Sequence, residues 1–155
     1  MYEYQVFKKN EQGVSAISFA IIAPVLIFLI ISVLQLGIMM VIQNALEAAA
    51  RQASRYALVG TPNSSVSRTV AINNKINSTV AAYSAGIVNT NNLIITATAY
   101  SNFTNTASGT AGYGAGNQGV QYTISYVYNT LYPIFPTLGN LVTLKATAYV
   151  ENENF

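Results

Sequence analysis

Residues 12–46 form 35 consecutive positions without a charged side chain, bounded by Glu11 and Glu47. The apolar heart of that run, residues 14–42, reads VSAISFAIIAPVLIFLIISVLQLGIMMVI. As a helix rising about 1.5 Å per residue it covers roughly 43 Å, more than the ~30 Å hydrocarbon layer of a bilayer. A helix packed on a soluble core keeps one polar face, and this run has none. The sequence therefore predicts a transmembrane helix, with a short flank before it and more than a hundred residues after it.

Such a helix admits three readings. A cleaved secretory signal has an apolar core of about 7–15 residues followed by a small-x-small site. This run is about twice that length, and LQLGIMMVIQN offers no convincing site, which argues against it. A plain anchor is the second reading. The third is a short leader cut ahead of the helix, and it rests on the resemblance described below. The positive-inside rule gives no orientation, because Lys8 and Lys9 precede the span while Arg51 and Arg55 follow it. The size of the back part, rich in Asn, Ser, Thr and Tyr, places the N-terminus in the cytoplasm and the remainder outside.

Charge is scarce everywhere: 8% of residues, with seven Lys or Arg, five Glu, and no Asp, His or Cys. Without His or Cys there is no imidazole base, no thiol nucleophile and no zinc ligand set. A net charge of +2, with no basic cluster beyond Lys8-Lys9, gives no footprint for nucleic acid. The five carboxylates (Glu3, Glu11, Glu47, Glu151, Glu153) are scattered, and no pair is placed for acid-base work. The chain is expected not to be an enzyme, with no catalytic residues, no metal, no cofactor and no small-molecule substrate. Absence of Cys excludes a disulfide framework but does not separate a bacterial envelope protein from a cytosolic one.

Helix formers continue past the span. Residues 43–58 (QNALEAAARQASRYAL) contain five Ala between Ala45 and Ala53, and Glu47 and Arg51 stand at i and i+4. Gly60 and Thr61-Pro62 read as the stop, and Pro24 as a kink inside the helix. A second helix is predicted over 65–85, with an apolar stripe of Val66, Val70, Ile76, Val80, Tyr83 and Ile87 and an end at Gly86. Three strands follow at 93–100, 120–128 and 141–150, each rich in β-branched and aromatic residues. Residues 101–118 read as a long flexible loop, and 132–140 (YPIFPTLGN) as a structured turn. The expected fold class is α+β: a long transmembrane and stalk helix, then a small head with one helix packed on a three-stranded antiparallel sheet. The divisions are a leader-like flank at 1–13, the transmembrane and stalk helix at 14–59, and an extracytoplasmic head at 60–155.

Other motifs carry less. Asn63, Asn77 and Asn102 begin Asn-x-Ser/Thr triplets, but a chain this rich in those residues supplies such triplets by chance. The glycine-rich run 109–119 (GTAGYGAGNQG) lacks a following Lys-Ser/Thr and a helix, so it is no phosphate loop. The 11 Tyr could form a stacking surface, although strand propensity accounts for most of them. Small residues in the span (Ala16, Ala20, Ala23, Ser32, Gly37) would let helices approach closely in lipid.

The stretch KKNEQGVSAISFAIIAPVLIFLIISVLQLGIMMVIQNALEAAARQASRYA resembles the TadE-like family of minor pilins (pseudopilins) of bacterial tight-adherence pili. The residues that carry the likeness are a basic-polar flank ending in Gly13, then Phe19-Ala20, Pro24, the Leu36-Gly37 step, and a stalk with Arg51, Arg55, Tyr56 and Ala57. Residues 120–153 also look like the family's closing two strands around a proline-containing turn. The resemblance implies a leader cut after Gly13 by a prepilin peptidase, and a mature chain starting at Val14. It further implies packing through Ser18, Phe19, Pro24, Gln35 and Gly37 of the apolar helix. Glu47, Arg51 and Arg55 fall on the stalk. Partners would be other pilins and the inner-membrane assembly platform, with the protein in the bacterial inner membrane or the extracellular pilus. Two positions depart from the family: Ser18 stands where an acidic residue is usual, and so does Gln35. A hydroxyl cannot neutralise a neighbour's new amino group, though it can accept one hydrogen bond. The alternative function from another class is a bitopic membrane protein whose Tyr- and Asn-rich head binds a surface ligand.

Overall fold

A computed structural model describes residues 3–59, 67–101, 109–130 and 141–152, with the side chains of the first segment described from Gly13 to Leu58. Seven elements appear in chain order: helix α1 (Glu3–Val59), helix α2 (Arg68–Tyr83), a 3-10 turn (Thr90–Asn92), and strands β1 (Leu93–Tyr100), β2 (Thr110–Ala111), β3 (Gly119–Asn129) and β4 (Leu141–Glu151). The chain divides into two compact units, Met1–Gly37 and Ile38–Phe155.

In the first unit, α1 is apolar and exposed. Val14, Ile17, Phe19, Ile21, Ile22, and the large side chains from Val25 to Ile30 all face outward. Over Gly13–Leu58 the helix is long and apolar enough to cross a membrane by length and composition. Pro24 lies within it, and Ser32 returns its hydroxyl to the Phe28 carbonyl oxygen at 2.8 Å, which satisfies that group without water.

In the second unit, the same helix becomes a core element. Ile42, Leu46, Ala49, Ala50, Ala53 and Ala57 recur at helical spacing and are buried. The alanines let the helix axis lie close to the sheet, while Ile42 and Leu46 each contribute about 1.5–3 kcal/mol by burial. Ser67 caps α2, its hydroxyl accepting from the Val70 amide, a contact worth about 1 kcal/mol. The helix ends at Ser84, followed by Ala85 and Gly86, both at positive φ. Its buried positions are Ile72, Ile76, Thr79 and Val80. The expected stripe holds in part: Ile76 and Val80 are buried, Val70, Tyr83 and Ile87 are exposed, and Val66 lies outside the described residues. Thr79 replaces an apolar residue on the inner face because its hydroxyl donates to the Lys75 carbonyl oxygen at 2.8 Å.

All strand pairings are antiparallel, in the order β2-β1-β3-β4. The α+β class agrees with expectation, but the sheet has four strands rather than three. The addition is β2, two residues paired as Thr98↔Ala111 and Ala99↔Thr110, within the stretch expected to be a flexible loop. Register puts the largest fully buried side chain, Tyr122, on β3 and an alanine beside each inward residue of that strand from Val120 to Ile124. Tyr122 lies between Ala97 and Ala148, Ile124 between Ile95 and Ala146, and Val120 between Ala99 and Val150. This alternation lets α1 and α2 cover one face of a sheet whose central side chains are bulky. The other face carries Thr96, Thr98, Gln121, Thr123, Ser125, Thr143 and Thr147. The expected stop at Gly60 to Pro62 and the expected turn at 132–140 lie outside the described residues.

Candidate functional site

The surface most open to function is the exposed apolar length of α1. Val14, Phe19 and Pro24 are exposed on it, with Phe19 at 71%. Ser18 is exposed among these apolar neighbours. Gly13 and Gly37 have open space where a side chain would stand, so neither is required for packing within the chain. Gln35 differs from its surroundings: at 2% exposure it is buried, while Leu34 and Leu36 on either side are exposed.

Farther along, Glu47 and Arg51 are brought together as a 3.6 Å ion pair, one helical turn apart and largely in solvent. Arg55 is exposed one turn beyond. Gln43 donates to Glu47 Oε1 at 3.2 Å and to the Lys145 carbonyl oxygen at 3.1 Å, tying α1 to the edge of β4. An open groove of about 280 Å³ follows, lined by Gln43, Glu47, Arg51 and residues 145–148. Spacing alone could not reveal this junction, since Gln43 and Lys145 are 102 residues apart.

The described part of the glycine-rich run is ordered against the end of the chain. Tyr113 donates its hydroxyl to Asn73 Oδ1 at 2.6 Å, and Asn152 donates Nδ2 to the carbonyl oxygens of Tyr113 (2.9 Å) and Ala115 (3.2 Å). Gly114, at φ +66°, cannot accept a side chain: a Cβ there would stand 2.8 Å from Val120 Cγ2. The flexible tip expected here is replaced, from Gly109 onward, by a fastened turn. Beneath it the Tyr113 and Tyr122 rings meet at 5.9 Å. Burial pushes the Tyr122 hydroxyl up to about 12, with the Arg68 charge working the other way and Tyr113 adding to the rise. Burial also raises Tyr113, against the lowering effect of its bond to Asn73.

Among the described residues no three His, Cys, Asp or Glu side chains converge on a point where a metal ion could be held. Glu151 is exposed on β4, and Glu153 lies outside the described residues. What the arrangement offers is surface: the first unit of α1 is apolar and mostly exposed from Val14 to Leu34.

Residues 13–55 match the family model described as TadE-like protein, the family that the same stretch resembles by its motifs. That match points to a component associated with the tight-adherence pilus. No curated protein and no solved structure matches the chain.

Proposed function

We propose, taking the TadE-like segment at residues 13–55 as the premise, that this chain is a minor pilin or pseudopilin of a tight-adherence pilus. In this reading it is a non-enzymatic structural or assembly component. Helix α1 anchors it in the bacterial inner membrane, and the head lies on the extracytoplasmic side. The observation that carries the reading is the exposure of Val14, Phe19 and the large side chains at 25–30 in a helix with no polar face. Such a surface needs lipid or other helices around it, and a pilin exchanges the first for the second on assembly.

Processing after Gly13 fits the local backbone. Gly13 lies inside α1, where glycine weakens the helix locally by roughly 0.5–1 kcal/mol relative to alanine. A prepilin peptidase would then release a chain beginning at Val14. Ser18 is exposed and can offer a neighbouring amino group one hydrogen bond but no charge. Other pilins and the assembly platform are the partners.

N-terminal sequencing of the protein from membranes and from sheared pili tests this. The expected result is Val14 as first residue, with the protein present in the sheared fraction. A chain still starting at Met1 in pilus-competent cells overturns processing. A Val14 chain that never leaves the membrane and cross-links to no pilin overturns the filament role.

A further inference from the structure

Strand β4, of 11 residues, stands at one end of the sheet order, and among the described residues no strand pairs with its second edge. Two hydrogen bonds show which backbone groups face that edge. Asn152, the residue after the strand, donates its amide to the Gln118 carbonyl oxygen at 2.9 Å, so even-numbered positions bond toward β3. Gln43 donates to the Lys145 carbonyl oxygen at 3.1 Å from the other side, so odd-numbered positions bond outward. The N–H and C=O of one residue point the same way in an antiparallel ladder. Thr143, Lys145, Thr147, Tyr149 and Glu151 therefore present both groups along the edge, and all five residues are exposed. Apart from the Gln43 bond, those groups have no hydrogen-bond partner among the described residues.

Sheet edges of this length are normally shortened, covered or guarded. At the opposite side of the sheet, β1 is flanked by β2 at Thr98 and Ala99, and its Ala97 carbonyl oxygen accepts from the Gly112 amide. On β4 the cover is one glutamine side chain. Beside it lies the open groove of about 280 Å³, whose strand side carries the small residues Ala146 and Ala148. Two charges on this edge are also unmatched: Lys145 and Glu151 have no ion-pair partner among the described residues. They stand six residues, about 20 Å, apart on one strand and cannot reach each other.

A second copy of the same strand matches both. Laid antiparallel about Ala148, Lys145 faces the partner's Glu151, Thr147 faces the partner's Tyr149, and Ala148 faces the partner's Ala148. Every outward-bonding residue then meets another. Moving the centre to Ala146 or Val150 keeps that match of bonding groups but loses both ion pairs, so charge selects the register. We infer that β4 pairs in this register with β4 of a second copy, making one sheet continuous across two heads. The contact is two-fold symmetric, so each interaction occurs twice and the interface closes. Gln43 does not bar it, because a carbonyl oxygen accepts two hydrogen bonds. Symmetry reverses the α1 segments that begin at Ile38, so the pairing joins copies that meet from opposite directions, as copies on facing surfaces would. It depends neither on processing at Gly13 nor on incorporation in a pilus.

The protein has no Cys, so single-Cys variants of the full chain in detergent report the pairing. Ala148 falls on the two-fold axis as a non-hydrogen-bonded pair, where Cα atoms stand about 4.5 Å apart and within disulfide reach. Mild oxidation of Ala148→Cys is expected to give a disulfide-linked dimer, and Thr96→Cys, on the outer face of β1, none. Adding Lys145→Glu to Ala148→Cys sets like charges opposite each other and should cut the dimer about tenfold. Lys145→Glu together with Glu151→Lys should restore it. Thr147→Pro removes an outward amide and spares the bonds to β3, so it should also abolish the dimer while leaving the circular dichroism unchanged. Absence of dimer at Ala148→Cys overturns the pairing, and so does a dimer indifferent to Lys145→Glu. A photo-cross-linker at Thr147 in cells should yield an adduct of twice the chain mass; any other mass gives the edge to a different protein and overturns the proposal.

Discussion

The two parts of α1 are made from one continuous apolar sequence and face opposite problems. Between Gly13 and Gly37 the side chains are bulky, mostly Ile, Leu, Val and Phe, and nearly all are exposed. From Ile38 onward the inner face turns to alanine and is buried against a sheet. Hydrophobicity therefore does not distinguish a membrane surface from a core here; side-chain size and the period of the pattern do. A surface meant for lipid or for many neighbours can be bulky all round. One that must pack into the core of the head has to be narrow, and Ala49, Ala50, Ala53 and Ala57 make it so.

Truncation separates the two parts most strongly. Leu46→Ala should lower the unfolding free energy of the head by about 2–5 kcal/mol, while Leu29→Ala should leave it within about 0.5 kcal/mol, in detergent-solubilised protein followed by near-UV circular dichroism. Equal effects would erase the distinction. A charge tests the other part: Leu29→Arg should cost about 2.5–3.5 kcal/mol in membrane insertion, and alkaline carbonate extraction should release more protein than from the parent. Head stability should not change with it.

Alkali should act on the head alone, because residues 12–46 contain no titratable side chain. The Tyr122 hydroxyl is raised to about 12 by burial, whereas in the unfolded chain it titrates near the usual value of 10. Between those values the folded state holds a proton that the unfolded state has lost, so stability falls as pH rises. The contribution is complete below about pH 10 and is lost by about pH 12, a change of about 2–3 kcal/mol. Tyr122→Phe should flatten that slope in pH-dependent denaturant melts; an unchanged slope would assign it to other groups. The smallest effect belongs to the exposed Glu47–Arg51 pair, where Arg51→Ala should cost about 0.3–0.5 kcal/mol and nothing measurable in high salt.

Much of the head was legible in sequence. Residues 93–100 form β1 at the expected bounds, and β3 and β4 differ from expectation by one residue at one or both ends. The misses have physical causes. Two residues of β2 are too few to show alternation, and their pairing to β1 depends on how the chain returns. The inner face of α2 was read only in part, Ile76 and Val80 but not Ile72 or Thr79, because a threonine can face inward once its hydroxyl is bonded to its own helix. Tyr113 and Asn152 gave no sign of fastening the glycine-rich turn, since their partners are about 40 residues away.

Of the candidate site, the sequence paired Glu47 with Arg51, because helical spacing is local, and missed Gln43 on the same helix. It could not mark the junction of Gln43 with Lys145, whose members belong to a helix and a distant strand and share no spacing. By itself the sequence determined the elements and the uncharged helix, since periodicity and the absence of charge are written residue by residue. Only the tertiary structure decided that part of that helix is core and that Gln43 meets Lys145 from 102 residues away. Burial and adjacency are properties of packed neighbours, and those neighbours are distant in the chain.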